Sequence, residues 1–296
     1  MTAQGKIRKP THLDMSLLML LAVVWASAFL AIKVVVGETG PLWLAAIRVV
    51  VAFLVLLPFA LYKGFVWPGG GREWQLVFWV MLLNVVVPFF LISWAEQSIS
   101  SGMAAMLMGF GPFMALVGSH FTTTDDKLSR QKAIGALMGF TGIIILVGWD
   151  VLRGLGDNLS GQGAALLGSA CYVTSGLIVR RLTGFPALQL SALVLGLSSI
   201  TLLILALIFE GPPLEPFSQK AWLGLLYLGV FPTALGYILR YYLVQAIGMS
   251  AFSTGLNLVP VFGVLLGAFF LGEQLSLNIL VSLGLIVTGL FIIRRA

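Results

Sequence analysis

Ten apolar stretches, each about 20 residues long, fill most of this 296-residue chain. A helix needs about 20 mostly apolar residues to cross the hydrocarbon core of a bilayer. Turn-forming segments such as Trp67-Pro-Gly-Gly-Gly71 and Gly211-Pro-Pro213 separate the stretches and leave no room for a separate soluble domain. The predicted spans are Leu13–Val36, Pro41–Tyr62, Trp74–Ser93, Gln97–Ser119, Ala133–Trp149, Gly161–Val179, Pro186–Phe209, Ala221–Gln245, Ser250–Leu271 and Ser276–Ile293.

The composition excludes several classes of protein. Charged residues make up 9% of the chain, whereas a soluble domain carries about 25%. A soluble enzyme, a disordered chain and a nucleic-acid-binding domain are therefore excluded, despite the net charge of +6. The single cysteine, Cys171, excludes an intramolecular disulfide and a cysteine-based metal site. Because the chain has only two histidines, we expect no bound metal and no cofactor.

The basic residues predict how the chain is oriented. Arg153 and Lys220 lie on one side of the predicted spans. Twelve basic residues lie on the other side: Lys6, Arg8, Lys9, Lys63, Arg72, Lys127, Arg130, Lys132, Arg180, Arg181, Arg294 and Arg295. Since Lys and Arg accumulate on the cytoplasmic side of a membrane, we expect both termini in the cytoplasm.

The two halves of the chain resemble each other at a shift of about 147 residues. Trp25–Lys33 aligns with Tyr172–Arg180, and Asp126-Lys-Leu-Ser129 aligns with Glu273-Gln-Leu-Ser276. Each half, 1–150 and 151–296, has five predicted spans, so the second half enters the membrane from the opposite side. The predicted fold is an all-α integral membrane protein with ten transmembrane helices, arranged as two inverted five-helix repeats (5+5) around a central cavity.

The chain resembles the drug/metabolite transporter superfamily, in its ten-span form with two EamA-like repeats. Within it, the chain is most similar to bacterial aromatic amino-acid exporters. The resemblance implies export of small metabolites across the bacterial inner membrane through a cavity lined chiefly by spans 1, 3, 4, 6, 8 and 9. We expect a small-molecule substrate, a lipid bilayer around a functional monomer, and no nucleic acid. The resemblance is carried by Trp25–Lys33, Pro41, Arg48, Ala104–Pro112, Pro232–Gln245, Asn257–Pro260 and Gly272–Glu273.

Polar side chains within the spans are the candidates for substrate binding, because such groups avoid lipid and face a cavity or another helix. Arg240, midway along span 8, is predicted to pair with a substrate carboxylate; the alternatives are that it caps helix carbonyls or snorkels inward. Each Ser or Thr could instead bond its own helix. Lys33 is interpreted as reaching the membrane interface, and Arg48 as structural. The candidates are Trp25, Ser27, Asn84, Met108, Tyr172, Thr174, Tyr237, Arg240 and Asn257.

Matched prolines predict hinges. Pro112 in span 4 and Pro260 in span 9 each remove a backbone donor and free carbonyls, near Met108 in the first case, that could serve a ligand. Gly109 and Gly111 weaken span 4 further, and simple kinks are the alternative reading. A separate small-residue pattern predicts close packing between the repeats: Gly135 and Gly139 in span 5, with Gly284 and Thr288 in span 10.

The distribution of acidic residues bears on mechanism. No Asp or Glu lies at the middle of a predicted span, and proton coupling commonly uses a buried carboxylate. We therefore expect facilitated diffusion or exchange by alternating access; the alternative is a drug or nucleoside exporter of the same superfamily with proton coupling. A channel is disfavoured because no selectivity filter is evident. An intramembrane enzyme is disfavoured because no Asp pair, Ser–His pair or zinc motif is present, so we expect no enzymatic activity.

Overall fold

In the described part of this chain, all regular secondary structure is helical, and there is no β-strand. The computed structural model describes residues 10–111, 113–114, 129–147, 158–179, 182, 185–240, 242–243, 246–247 and 258–295. The helices are α1 (His12–Thr39), α2 (Pro41–Tyr62), α3 (Gly71–Ala95), α4 (Ser101–Met108), α5 (Arg130–Val147), α6 (Leu159–Val179), α7 (Ala187–Phe209), α8 (Gln219–Arg240), α9 (Val259–Leu271) and α10 (Leu277–Arg295).

Several helices have the length and hydropathy of membrane spans. In the described residues, five meet both criteria: α1, α2, α3, α7 from Leu188, and α8. The helices α9 and α10 are shorter and also apolar. The expectation of an all-helical chain with several membrane-crossing helices is confirmed to this extent, and the count of ten spans stays a prediction.

Local sequence signals set the boundary between α1 and α2. Thr11 and Asp14 form a capping box at the start of α1, in which the Thr11 hydroxyl accepts from the Asp14 amide and the Asp14 carboxylate accepts from the Thr11 amide. Gly40 then adopts a φ of 74°, a value that L side chains rarely take, and Pro41 begins α2 where a missing amide hydrogen is harmless. This turn reverses the chain, so α1 and α2 are neighbours.

The helix contacts repeat between the halves. In the described structure α2 packs on α7, α4 on α9 and α5 on α10. Moreover, α1 packs on α8 and α9, while α6 packs on α3 and α4. If α1–α5 are exchanged with α6–α10 in order, each of these pairs becomes another pair of the same set. This is expected for a duplicated chain.

Two π-helical segments interrupt long helices at matched positions. Leu82–Val86 lies within α3 and Gly229–Leu235 within α8, so the two segments begin 147 residues apart, the same shift that relates the sequence repeats. Pro232 lies inside the second segment, and Pro88 lies two residues after the end of the first. A proline cannot donate to the backbone ladder, which favours such irregularity, and π-helical turns are frequent at functional sites.

The close packing predicted for spans 5 and 10 involves a different residue of α10. The α5–α10 contact is extensive, but a Cβ built at Gly284 would meet nothing within 4 Å, and Thr288 is exposed. A Cβ at Gly289 would instead lie 2.5 Å from the carbonyl oxygen of Gly135. The assignment of Gly284 and Thr288 was wrong, because both residues lie on the other face of α10.

Candidate substrate-binding cavity

A cavity of about 120 Å³ lies between α3, α6, α7 and α8. Its polar wall contains Asn84, Ser175, Ser191, Tyr237 and Arg240, and none of the described residues that line it is acidic. Apolar side chains complete the wall toward the segment that joins α6 to α7. Three of the predicted binding residues, on α3 and α8, thus line one cavity.

Asn84 links two neighbouring helices across this cavity. Its Nδ2 donates to the Tyr237 hydroxyl oxygen at 3.2 Å, and its Oδ1 accepts from the Ser175 hydroxyl at 3.2 Å. Asn84 lies in the π-helical segment of α3, which orients its amide toward α6 and α8. The amide, the phenol and the Ser175 hydroxyl therefore form one polar layer with donors and acceptors on the cavity wall.

Arg240 is the cationic residue of the cavity lining. Its side chain is half-buried, and within the described part of the chain it makes no hydrogen bond or ion pair. A guanidinium presents five N–H donors in a planar fork that matches a carboxylate. The cavity therefore offers positive charge and hydrogen-bond donors to a ligand.

Two predicted residues of α1 contact α8 instead of the cavity. The Trp25 indole Nε1 donates to the Pro232 carbonyl at 3.0 Å, within the π-helical segment. The Ser27 hydroxyl lies 2.6 Å from the Tyr227 hydroxyl and donates to the Val24 carbonyl at 2.8 Å. In this conformation Trp25 and Ser27 hold α1 against α8.

Three further candidates also lie outside the cavity lining. The Met108 carbonyl, predicted to be free for a ligand, accepts from the Ser169 hydroxyl at 3.1 Å. Thr174 is exposed and donates to Ala170 of its own helix at 2.9 Å, while Tyr172 packs between the two main apolar cores. The adjacent Ser175 faces the cavity because successive residues of an α-helix are about 100° apart.

Two of the predicted hinge residues contact each other in the described part of the structure. Pro260 packs directly against Gly109, and a Cβ at Gly111 would lie 3.0 Å from the Ser169 hydroxyl oxygen. The described part of α9 begins at Val259, so Pro260 lies in its first turn. Pro112 and Asn257 lie outside the described residues.

Lys33 points inward, contrary to the expected interfacial position. Its Nζ donates to the carbonyls of Glu96 and Ile99 at 2.6 and 2.8 Å. Because α3 ends at Ala95, carbonyls near its end lack helical partners, and the ammonium supplies donors to them. The sequence of α1 alone does not show that these carbonyl groups need a hydrogen-bond donor.

The contacts of Arg48 agree with the structural role predicted for it. Its Nε donates to the Thr233 hydroxyl at 2.8 Å, and its guanidinium lies 4.2 Å from the centre of the Phe89 ring. Thr233 itself donates to the Leu228 carbonyl within the π-helical segment of α8. Arg48 thus fastens α2 to the irregular turns of α3 and α8.

Glu96 is the residue that sequence reasoning missed. It lies in the turn after α3, as its place in the sequence predicts, yet it is 0% exposed. Within the described ranges, neither carboxylate oxygen has a hydrogen-bond partner. Glu96 is buried because the turn between α3 and α4 is covered by neighbouring helices, although it lies outside the middle of any predicted span.

Comparisons with known proteins agree on one family. The EamA-like transporter family matches residues 13–148 and again residues 159–295. The "Uncharacterized transporter YoaV" of Bacillus subtilis is 25% identical over 280 residues, covering 91% of this chain and 92% of that protein. The "Uncharacterized inner membrane transporter YedA" of Escherichia coli K12 is 27% identical over 279 residues, covering 92% and 88%.

A further relative and a solved structure extend the likeness. An "Uncharacterized transporter" of Archaeoglobus fulgidus is 26% identical over 291 residues, covering 94% of this chain and 97% of that protein. A protein of known crystal structure superposes with a TM-score of 0.68 over 95% of this chain and 96% of its own. Its sequence identity is 18%, so it supports the fold alone.

Proposed function

This chain belongs to the EamA-like transporter family of the drug/metabolite transporter superfamily, and from that premise we propose that it exports amino acids, aromatic ones included. It is a multi-pass membrane protein of a transporter family. We place it in the bacterial inner membrane as a functional monomer with both termini in the cytoplasm. The relative YedA is named an inner membrane transporter, and the asymmetry of basic residues supports the orientation.

The guanidinium of Arg240, which has no hydrogen-bond or ion-pair partner among the described residues, is the observation that carries the substrate proposal. A half-buried cation without a counter-ion is unfavourable, so an anionic ligand group is stabilised beside it. The carboxylate of an amino acid fits the fork of Arg240. Oxygens of Asn84 and Tyr237 can accept from the ammonium group, and the Tyr237 ring offers an aromatic face.

Alternating access between two five-helix halves is the proposed mechanism. The repeated helix contacts and the matched π-helical segments support it, since two similar halves can exchange conformations. The cavity extends toward Leu182 and Phe185, between α6 and α7. The basic residues of that segment suggest the cytoplasmic side, so this conformation would load substrate from the cytoplasm.

We propose that transport proceeds by facilitated diffusion or exchange, and the lack of an acidic residue among the described lining residues supports this. The burial of Glu96 favours a second candidate, proton-coupled export of drugs or nucleosides. Proteoliposomes with a pH gradient and no substrate gradient separate the two. Accumulation against the substrate gradient requires coupling, whereas mere equilibration fits facilitated diffusion or exchange.

Counterflow in proteoliposomes tests the substrate and the site together. We expect unlabelled amino acid on one side to accelerate entry of labelled amino acid from the other. Arg240→Gln should raise the half-saturation concentration about tenfold or more, because charge-assisted hydrogen bonds contribute about 1.5–3 kcal/mol. Arg240→Lys should lose less, because it keeps the charge.

Arg72→Gln is the matched control, since Arg72 is exposed at the start of α3. A wild-type half-saturation in Arg240→Gln would contradict the role of Arg240. A lack of trans-stimulation in the wild type would contradict a carrier and favour a channel. A screen of amino acids, nucleosides and cationic drugs in the same assay identifies the substrate class.

A further inference from the structure

The carboxyl group of Glu96 is enclosed in the turn between α3 and α4. Gly161, at the start of α6, packs on this turn, where a Cβ would lie 3.2 Å from the Ala95 carbonyl oxygen. Both carboxylate oxygens of Glu96 are removed from solvent, and neither accepts a hydrogen bond from any residue that the structure describes. The charged form of a carboxyl group is costly at a buried position without hydrogen-bond donors.

The charged side chains near Glu96 make their hydrogen bonds to groups other than its carboxylate. Lys33 of α1 donates from its Nζ to the backbone carbonyls of Glu96 and Ile99. Arg48 of α2 donates from Nε to Thr233. Glu273, in the connection from α9 to α10, accepts from the amides of the first turn of α4. Among the described residues, none of these groups forms an ion pair with the Glu96 carboxylate.

These surroundings favour the neutral form of the acid. Burial raises the pKa of Glu96 well above its usual range, and the negative charge of Glu273 raises it further. The positive charges of Lys33 and Arg48 lower the pKa but do not offset burial. Glu96 lies in the turn outside the helices, on the side predicted to face away from the cytoplasm.

We propose that Glu96 is a proton-binding site that controls the outer face of the transporter. The neutral carboxyl is compatible with the closed packing of the α3–α4 turn seen here. When the outer face opens, water reaches the turn, and the O–H bond breaks to give a carboxylate and a proton released to solvent. Reclosure requires the carboxylate to take a proton back from that solvent. This inference rests on the proposed alternating access, and it needs no net proton movement across the membrane.

The dependence of counterflow on pH tests the proposal, with the same pH on both sides of the vesicle. Above the pKa of the opened turn, each pH unit lowers the protonated fraction about tenfold, so we expect the wild-type rate to fall about tenfold per unit. Glu96→Gln mimics the neutral acid and should transport at a rate nearly independent of pH. Glu96→Asp retains an acid and should keep a pH-dependent rate.

Glu215→Gln is the control, because Glu215 is exposed, and it should keep the wild-type profile. A Glu96→Gln protein that retains the wild-type pH profile would overturn the proposal.

Infrared spectroscopy of the wild-type protein tests the protonation of Glu96 directly. The test requires neither transport activity nor a folded Glu96→Gln variant. Near pH 7, where exposed carboxyls are ionised, the wild type should retain the C=O band of a protonated carboxyl. Absence of that band would overturn the inference even if transport occurs. Failure of the wild type to transport any amino acid, with the band present, would instead count against the proposed substrate.

Discussion

Replacement of Glu273 by Ala should destabilise the contact between α9 and α4. The carboxylate accepts from the Ser101 amide at 2.7 Å, from the Ser101 hydroxyl at 2.8 Å and from the Gly102 amide at 3.0 Å. A Cβ at Gly267 would lie 2.9 Å from the carboxylate carbon, so a glycine there leaves room for the interaction. One side chain thus holds the first turn of a helix from the other half of the chain.

The size of the loss follows from these three bonds. Hydrogen bonds to a charged group contribute about 1.5–3 kcal/mol each, and an acid at a helix N-terminus adds about 0.3–1 kcal/mol. The three bonds are not additive, and Glu273 is only half-buried, so water replaces part of the interaction. We expect Glu273→Ala to lower the free energy of unfolding by about 2–4 kcal/mol, and Glu273→Gln, which keeps one neutral acceptor, by about half as much.

Equilibrium unfolding of the purified protein in detergent measures this effect. Wild type, Glu273→Ala and Glu273→Gln are compared under one set of conditions, with Glu215→Ala as the exposed control. A Glu273→Ala protein within about 0.5 kcal/mol of the wild type, the range of ordinary surface substitutions, would refute the reasoning. A loss equal to that of Glu215→Ala would refute it in the same way.

Two further substitutions test the polar layer and the π-helical contact. Asn84→Ala removes the link between Ser175 and Tyr237, and we expect a severalfold rise in the half-saturation concentration of counterflow; a wild-type value would show that this amide is only structural. Trp25→Phe removes the hydrogen bond to the Pro232 carbonyl and should lower the free energy of unfolding in detergent by about 0.5–1.5 kcal/mol; a more stable variant would contradict this role.

The sequence located the helix ends well where turn chemistry is strong. The predicted span Pro41–Tyr62 coincides with α2, because Gly40 and Pro41 define its start. The predicted end of span 7 at Phe209 likewise coincides with that of α7. The start of span 8 was predicted two residues too late: the prediction was Ala221, and α8 starts at Gln219 after its N-cap Ser218.

The candidate site was predicted in part. Asn84, Tyr237 and Arg240 line one cavity, because polar groups within apolar helices avoid lipid. Thr174 and Met108 do not, since the rotation of α6 and the hydroxyl of Ser169 depend on contacts between distant segments. The sequence analysis did not predict the two π-helical segments, although Pro88 follows the first and Pro232 lies within the second.

The sequence by itself determined the class of the protein and its duplicated organisation. Both follow from properties that can be read along the chain: the length of the apolar stretches, the turn residues between them and the repeat at a shift of about 147 residues. Which side chains meet is decided by the rotation of each helix and by the packing of its neighbours. For that reason only the tertiary structure turned Lys33 inward to the end of α3 and enclosed the carboxyl group of Glu96. A polar residue in an apolar chain must find a partner or lose its charge, and the sequence alone does not name the partner.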